Sequence, residues 1–131
     1  MRPRFPKGDP ARGLDAYRRG LRAETVAAFW LRLKGYRILA RRLKTHAGEI
    51  DMVARRGRAL VIVEVKASAQ TGAGRDHAVE ALLPRQQQRL SRAASHLLAM
   101  RPALAELDLR FDLVLVAPRS LPRHLEDAWR P

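Results

Sequence analysis

The stretch from residue 48 to residue 66, GEIDMVARRGRALVIVEVK, constrains the fold more than any other part of the chain. Two apolar, β-branched runs flank a charged break that contains a glycine, and this pattern predicts a β-hairpin. Asp51, Glu64 and Lys66 lie inside these runs or at their edge, where an unpaired charge is costly. We therefore expect the hairpin to place these three charged side chains next to groups that compensate their charge.

The length of the charged break sets the register of the predicted hairpin. With a two-residue turn at 57–58, Asp51 lies directly opposite Glu64. Residues opposite each other on antiparallel strands have Cβ atoms roughly 5 Å apart. Strict alternation places Asp51 on the same face as Val53, and Lys66 on the same face as Glu64. We therefore expect the two carboxylates to stand side by side with a lysine next to them.

Two adjacent carboxylates repel each other, so either one of them is protonated or a cation lies between them. Mg²⁺ prefers carboxylate oxygens, usually few of them, and keeps waters or substrate phosphate in its remaining positions. The sequence therefore predicts a Mg²⁺ or Mn²⁺ site at Asp51 and Glu64. Lys66 is expected to orient a metal-bound water, to help deprotonate it, or to neutralise a phosphate. Glu49 is either an ion-pair partner of Lys66 or a further ligand.

Three short motifs in and beyond this stretch resemble a known family. An aspartate followed on the next strand by Glu-x-Lys resembles the PD-(D/E)xK nuclease superfamily, which includes restriction endonucleases and archaeal Holliday-junction resolvases. GEID at 48–51, VEVK at 63–66 and RFD at 110–112 together resemble the YraN family, uncharacterised protein family 0102. The resemblance covers about residues 17–129, most of the chain. It implies a restriction-endonuclease-like core.

The resemblance also implies roles for individual residues. It implies a glutamate of the first helix near the metal site, and Glu24 matches it; the alternative is an ordinary surface partner on the helix. The family usually has a lysine where this chain has Gln86. Arg85 or Arg89 would therefore make the phosphate contact of that lysine. Gln86 itself is either a further site candidate or part of a solvated helix face. The family commonly has an asparagine within the segment that here reads RRL, at 41–43.

The rest of the chain supplies the other elements of one α/β domain. We expect the order α-β-β-β-α-β, with a mixed central sheet flanked by helices. A basic arm at 1–13 is expected to be disordered, and 14–131 to form the nuclease-like domain. Before the hairpin, the patterns predict a helix at 14–34, which Gly35 stops, and a strand at 36–43. After the hairpin they predict a flexible loop at 67–77 and a helix at 78–100, with Pro84 in the first turn of the longer part of that helix. A strand at 109–117, in which Asp112 pairs with Arg110, and an irregular or short-strand tail at 118–131 complete the domain.

Charge indicates the class of partner. The 131 residues carry a net charge of +13, with a pI of about 11.6. Such an excess favours a polyanion, nucleic acid before membrane, and DNA before RNA on the resemblance. Arginines of both helices are the candidate phosphate contacts, among them Arg22, Arg85 and Arg89. The sequence has no cysteine, which excludes thiolate metal sites and suits the cytoplasm, and no apolar run of the roughly 18 residues that a membrane span needs.

Three functions are consistent with these features. The first is a divalent-metal-dependent nuclease that hydrolyses phosphodiester bonds in branched or single-stranded DNA, with Asp51, Glu64, Lys66 and Glu24 as its catalytic residues. The second is a non-catalytic, basic nucleic-acid-binding protein that retains the nuclease fold. The third is a basic assembly or ribosome-associated protein. The sequence determines no oligomeric state, although a two-fold dimer would suit a branched substrate.

Overall fold

A computed structural model of the chain describes residues 10–68 and 82–131. Its helices and strands follow the predicted order, and a 3-10 helix and a short final strand are added to it. The elements are α1 (Pro10–Leu33), β1 (Arg37–Thr45), β2 (Gly48–Arg56), β3 (Ala59–Ala67), α2 (Pro84–Met100), the 3-10 helix (Pro102–Glu106), β4 (Asp108–Val116) and β5 (Arg123–Leu125). No helix among these described elements is apolar over a length that would cross a membrane.

The strands form one mixed sheet in the order β1-β2-β3-β4-β5. β1, β2 and β3 are joined as antiparallel neighbours, β4 runs parallel to β3, and β5 returns antiparallel to β4. A parallel neighbour requires a crossover connection, and the segment that contains α2 provides it. The predicted α/β architecture with a mixed central sheet is therefore confirmed.

The two helices cover opposite faces of the sheet. Alternating residues of β3 separate the two sides, since Val61 and Val63 pack in the cluster under α1 whereas Leu60 and Ile62 pack in the cluster under α2. All four side chains are buried, which explains why this strand is a nearly continuous apolar run. The charged side chain of Glu64 therefore lies at the end of the buried part of β3, which spans residues 60–64.

The ends of the helices agree with the prediction in part. α1 ends at Leu33 and Gly35 takes a positive φ of 91°, as expected of a glycine that stops a helix. The helix begins at Pro10, so residues 10–13 of the expected arm are helical, and residues 1–9 lie outside the described residues. α2 begins at Pro84, in agreement with the helix start expected there. Residues 69–81, which hold most of the expected loop and the first turn of the expected helix, also lie outside the described residues.

Asp112 of β4 is completely buried and fastens the C-terminal segment to the sheet. Arg110 donates to both of its carboxylate oxygens, from Nε at 2.9 Å and from Nη2 at 2.8 Å. His124 Nε2 lies 2.6 Å from Oδ2, and the Asp127 backbone N–H donates to Oδ1 at 2.9 Å. Burial alone would raise the pKa of Asp112, but these hydrogen bonds outweigh it and hold the pKa below its ordinary value. The predicted pairing with Arg110 is confirmed, and the role of the pair is structural.

Candidate metal centre

The β2–β3 ladder has the register that the turn length predicted. Its bridge partners run from Arg56 opposite Ala59 to Met52 opposite Val63, and the paired ladder ends there, one residue before Asp51 and Glu64. Beyond this end the Val65 backbone N–H donates to Asp51 Oδ2 at 2.9 Å. A side-chain carboxylate therefore accepts a strand N–H at the open end of the hairpin, next to Glu64.

The regular alternation of β2 is interrupted at Asp51. Opposite it on β1, Arg42 has a positive φ of 51°, and the pairing of β1 with β2 skips these two residues. On either side of the interruption Ile50 packs in the cluster under α2, and Met52 packs in the cluster under α1. Two residues that strict alternation would place on one face thus lie on opposite faces. The expectation of simple alternation through Asp51 is therefore wrong.

Glu64 and Asp51 form a tightly coupled pair of carboxyl groups. Glu64 is only 9% exposed, and its Oε2 is buried without a hydrogen-bond partner. Burial first, and then the negative charge of Asp51, raise the pKa of Glu64 to about 7, although Lys66 and Arg89 oppose this. Burial also raises the pKa of Asp51, against the hydrogen bond from the Val65 N–H. At neutral pH without a metal, the pair therefore tends to hold a proton.

Lys66 lies beside this pair, as predicted. Its Nζ is 3.9 Å from Glu64 Oε1, close enough for an ion pair. Glu49 was expected either to pair with Lys66 or to be a further ligand; its ion-pair partner in the structure is Arg42, whose Nε lies 3.7 Å from Glu49 Oε1. The ammonium group is therefore directed at the carboxylate of its own strand.

Glu24 reaches the same region from α1 on the other face of the sheet. Its side chain is 7% exposed, and its Oε2 lies 3.3 Å from Arg42 Nε without hydrogen-bond geometry. Burial raises the pKa of Glu24, Arg42 lowers it, and the charge of Asp51 raises it again. Because the charges of Asp51 and Glu24 influence each other, the helix glutamate belongs to the electrostatic surroundings of the hairpin pair.

Arg89 of α2 supplies positive charge from the face of the sheet opposite to α1. Its side chain packs over Gly48, where an added Cβ would lie 3.1 Å from Arg89 Cδ. Gly48 also has a φ of 134°, which only glycine adopts easily, so two reasons require a glycine at the start of β2. The positive charge of Arg89 lowers the pKa of Glu64, which places the guanidinium within electrostatic range of the site.

The other candidate contacts have different surroundings. Gln86 accepts a hydrogen bond from the Leu83 N–H at 3.3 Å, so its side chain closes the first turn of α2. Arg85 is exposed one helical turn before Arg89. Arg22 is exposed on α1 and lines a cleft between this helix and the ends of β3 and β4.

Sequence reasoning missed Arg42 as a member of the site. Its guanidinium contacts Glu24 and Glu49, and it lies over the ring of Tyr17, 5.4 Å from the centroid. The available signal was the departure of segment 41–43 from the family pattern, which commonly has an asparagine there. In the structure this segment supplies a cation that lies between two carboxylates.

The donor set fits a hard divalent cation. Asp51 and Glu64 offer adjacent carboxylate oxygens, one of them buried and unpartnered, and no thiolate competes. Within residues 10–68 and 82–131, no three metal-ligating side chains are grouped closely enough to enclose an ion by themselves. Mg²⁺ and Mn²⁺ accept one or two carboxylates when waters complete their coordination, so this pair suits them better than it suits an ion that needs a full protein cage.

Comparison with known proteins identifies the family. A family model described as uncharacterised protein family UPF0102 matches residues 23–116. A UPF0102 protein of Parvibaculum lavamentivorans is 70% identical over 125 residues, which cover 95% of this chain and 91% of the relative. UPF0102 proteins of Paramagnetospirillum magneticum and Caulobacter vibrioides are 56% and 50% identical over 119 residues each, covering 88% and 91% of this chain and 89% and 92% of those relatives. The chain therefore belongs to protein family UPF0102.

Proposed function

We propose that this protein is a divalent-metal-dependent nuclease with a restriction-endonuclease-like core. One observation carries the proposal. A buried carboxyl group, Glu64, and a half-buried one, Asp51, meet at the open end of a hairpin, with a Glu64 oxygen left unpartnered and a lysine beside them. If this pair had only a structural role, it would lower the stability of the fold without any compensating interaction, because a buried carboxylate oxygen without a hydrogen-bond partner is costly. Strain and unpaired charge of this kind are expected where a ligand supplies the missing partner.

In this proposal Asp51 and Glu64 hold Mg²⁺ or Mn²⁺. Such an ion lowers the pKa of a bound water and stabilises the charge that develops at phosphorus. Asp51 is held in place by the Val65 N–H, so its second oxygen remains available as a ligand. Lys66 binds a non-bridging phosphate oxygen or orients the attacking water, and it is near enough to Glu64 to do so at the same centre. Glu24 acts at longer range, through its charge.

The substrate that we propose is DNA, branched or single-stranded, bound in the cytoplasm. The net charge of +13 supports a polyanionic partner, and Arg89 brings a guanidinium to the centre itself. Arg22 and Arg85 are exposed on two different helices, where they are accessible to the phosphate backbone on either side of the centre. Contacts of this kind position a nucleic acid without reading its sequence.

A non-catalytic nucleic-acid-binding protein of the same fold is the second candidate. The ion pairs of Arg42 with Glu24 and Glu49 favour it, because carboxylates that already have a protein cation need no metal. This candidate predicts binding that a chelator leaves unchanged, since the arginines alone would then account for it.

Cleavage assays with matched variants test the proposal. We expect the wild type to cleave at least one of duplex, single-stranded and branched DNA in Mn²⁺, and Asp51→Asn, Glu64→Gln and Lys66→Met to lose that activity while their circular dichroism is unchanged. Glu106→Gln, an exposed glutamate outside the centre, is the control and should remain active. Calorimetry with Mn²⁺ should give a binding heat in the wild type that Asp51→Asn removes. Absence of both cleavage and metal binding in the wild type would refute the proposal.

A further inference from the structure

Arg42 is the cation of a second carboxylate pair, next to the pair that we propose as metal ligands. Its Nε lies 3.3 Å from Glu24 Oε2 and 3.7 Å from Glu49 Oε1. Glu24 comes from α1 and Glu49 from the first residues of β2, so Arg42 joins the helix to the strand that carries Asp51. Glu24 is nine-tenths buried and its Oε2 has no hydrogen bond, so this oxygen is aimed at the cation without being fully satisfied by it.

We infer that the Arg42 guanidinium is a built-in second cation of the centre, which occupies the position between Glu24 and Glu49 and restricts the centre to one exchangeable divalent ion. The inference depends on the proposed metal site at Asp51 and Glu64 and extends it. Nucleases and phosphatases with two ions place them about 4 Å apart so that two positive charges flank the reacting phosphate. Here a guanidinium would supply the second charge.

The backbone supports a dedicated role for Arg42. Its φ of 51° lies in the left-handed region, which is unfavourable for a residue with a long side chain and easier for asparagine or glycine. Strain of this kind persists where the surroundings determine it, often at functional sites. The conformation interrupts the β1–β2 ladder opposite Asp51 and turns the Arg42 side chain toward Glu24 and Glu49. An ordinary strand residue at this position would continue the ladder.

The charges around Glu24 also favour a permanent cation. Burial raises the pKa of Glu24 most, Arg42 lowers it, and the charges of Asp51 and, more weakly, Glu49 raise it, so Arg42 is the strongest of the neighbours that keep this carboxylate charged. A guanidinium keeps its charge at any physiological pH and cannot be removed by a chelator. Because part of the Arg42 side chain is accessible to solvent, it can also contact a phosphate oxygen of a bound strand.

Counting bound Mn²⁺ in matched variants tests this inference without measuring activity. Arg42→Asn removes the cation but suits the left-handed backbone, and Arg42→Lys keeps a charge at the same position. We expect calorimetry and electron paramagnetic resonance titrations to give one bound Mn²⁺ per chain in the wild type and in Arg42→Lys. We expect two in Arg42→Asn, with spin coupling between neighbouring ions. The double variant Arg42→Asn with Glu49→Gln should return to one.

The outcomes separate this inference from the proposed function. A wild type that binds no Mn²⁺ overturns the metal site at Asp51 and Glu64, and the inference with it. A wild type that binds one ion, together with an Arg42→Asn variant that also binds one, overturns the inference alone. Two ions in the wild type overturn it as well, even if Arg42→Asn fails to fold. Arg42→Gly also tolerates the left-handed backbone, so the number of bound Mn²⁺ ions can be measured in a second variant that lacks the guanidinium.

Discussion

Replacing Glu64 by glutamine should stabilise the metal-free protein, and the gain should grow with pH. Glu64 and Gln have nearly the same shape, but only the glutamate ionises. Its pKa in the folded protein is about 7, whereas its ordinary value is 4.5. The folded state therefore holds a proton that the unfolded chain releases, and ionising Glu64 in the folded state destabilises the fold.

The sign and the size of the stability change follow from the difference between the folded and the ordinary pKa of Glu64. A group with a raised folded pKa contributes its full stability below about pH 4.5 and loses that contribution as the pH rises through about 7. Each tenfold change in acid strength is worth about 1.4 kcal/mol, so a difference of about 2.5 in pKa corresponds to about 3 kcal/mol. The side chain is only 12% exposed, so solvent screening does not greatly reduce this figure. Glutamine avoids the loss, and the variant should gain about 3 kcal/mol over wild type at high pH.

Urea denaturation at a series of pH values, with a chelator present, measures the difference. The free energies of unfolding of wild type and Glu64→Gln should coincide near about pH 4.5 and diverge until about pH 8. In thermal melts the same difference corresponds to a shift of about 10 °C. Adding Mn²⁺ at the higher pH should raise the melting temperature of the wild type more than that of the variant, because the metal replaces the proton.

Glu106→Gln is the matched control, because that glutamate is exposed and lies outside the centre. Its unfolding free energy should follow the wild type at each pH. A constant difference between Glu64→Gln and wild type over the whole range would refute the reasoning, since it would show that Glu64 ionises as easily in the folded protein as in the unfolded chain.

Three further changes have defined expectations. Asp112→Ala should lower the free energy of unfolding by about 3–5 kcal/mol in urea titrations, because Arg110 and the Asp127 N–H lose their buried partner; a loss below about 1 kcal/mol would contradict the structural role. Gly48→Ala should cost about 1–2 kcal/mol, since its φ is positive and its new Cβ would press on Arg89; an unchanged urea midpoint would count against this geometry. Arg85→Ala should reduce the salt dependence of DNA binding, measured by fluorescence anisotropy, by about one phosphate contact, and an unchanged slope would exclude it from the interface.

The hairpin was predictable because turn length and charge act locally. A charged break with one glycine fixes the register from Arg56 opposite Ala59 to Met52 opposite Val63, and this register brings Asp51 and Glu64 to the same end of the hairpin. The pairing of Arg110 with Asp112 follows equally from two residues on one face of a strand. These features depend on neighbours in the sequence or on one turn, which a single sequence records.

The rest of the site depends on contacts that a single sequence does not record. Strict alternation could not predict the interruption at Asp51, because an arginine carries no signal for a left-handed backbone. The ion-pair partner of Glu49 is Arg42 rather than Lys66, and the left-handed backbone of Arg42 that accompanies this contact has no signature in the sequence. His124 was missed because its contact with Asp112 comes from a tail segment without a helical or strand pattern.

The two buried carboxylate groups of the sheet differ in a way that separates structure from function. Asp112 has hydrogen bonds to both oxygens, and they hold its pKa below the ordinary value, so its charge stabilises the fold at neutral pH. Glu64 is nearly as buried, has an oxygen without a partner and has a raised pKa, so its charge destabilises the same sheet. Within the described strands, Asp112 shows that the fold can satisfy a buried carboxylate completely, whereas Glu64 keeps an oxygen without a partner. That partner is the one that the proposed metal ion would supply.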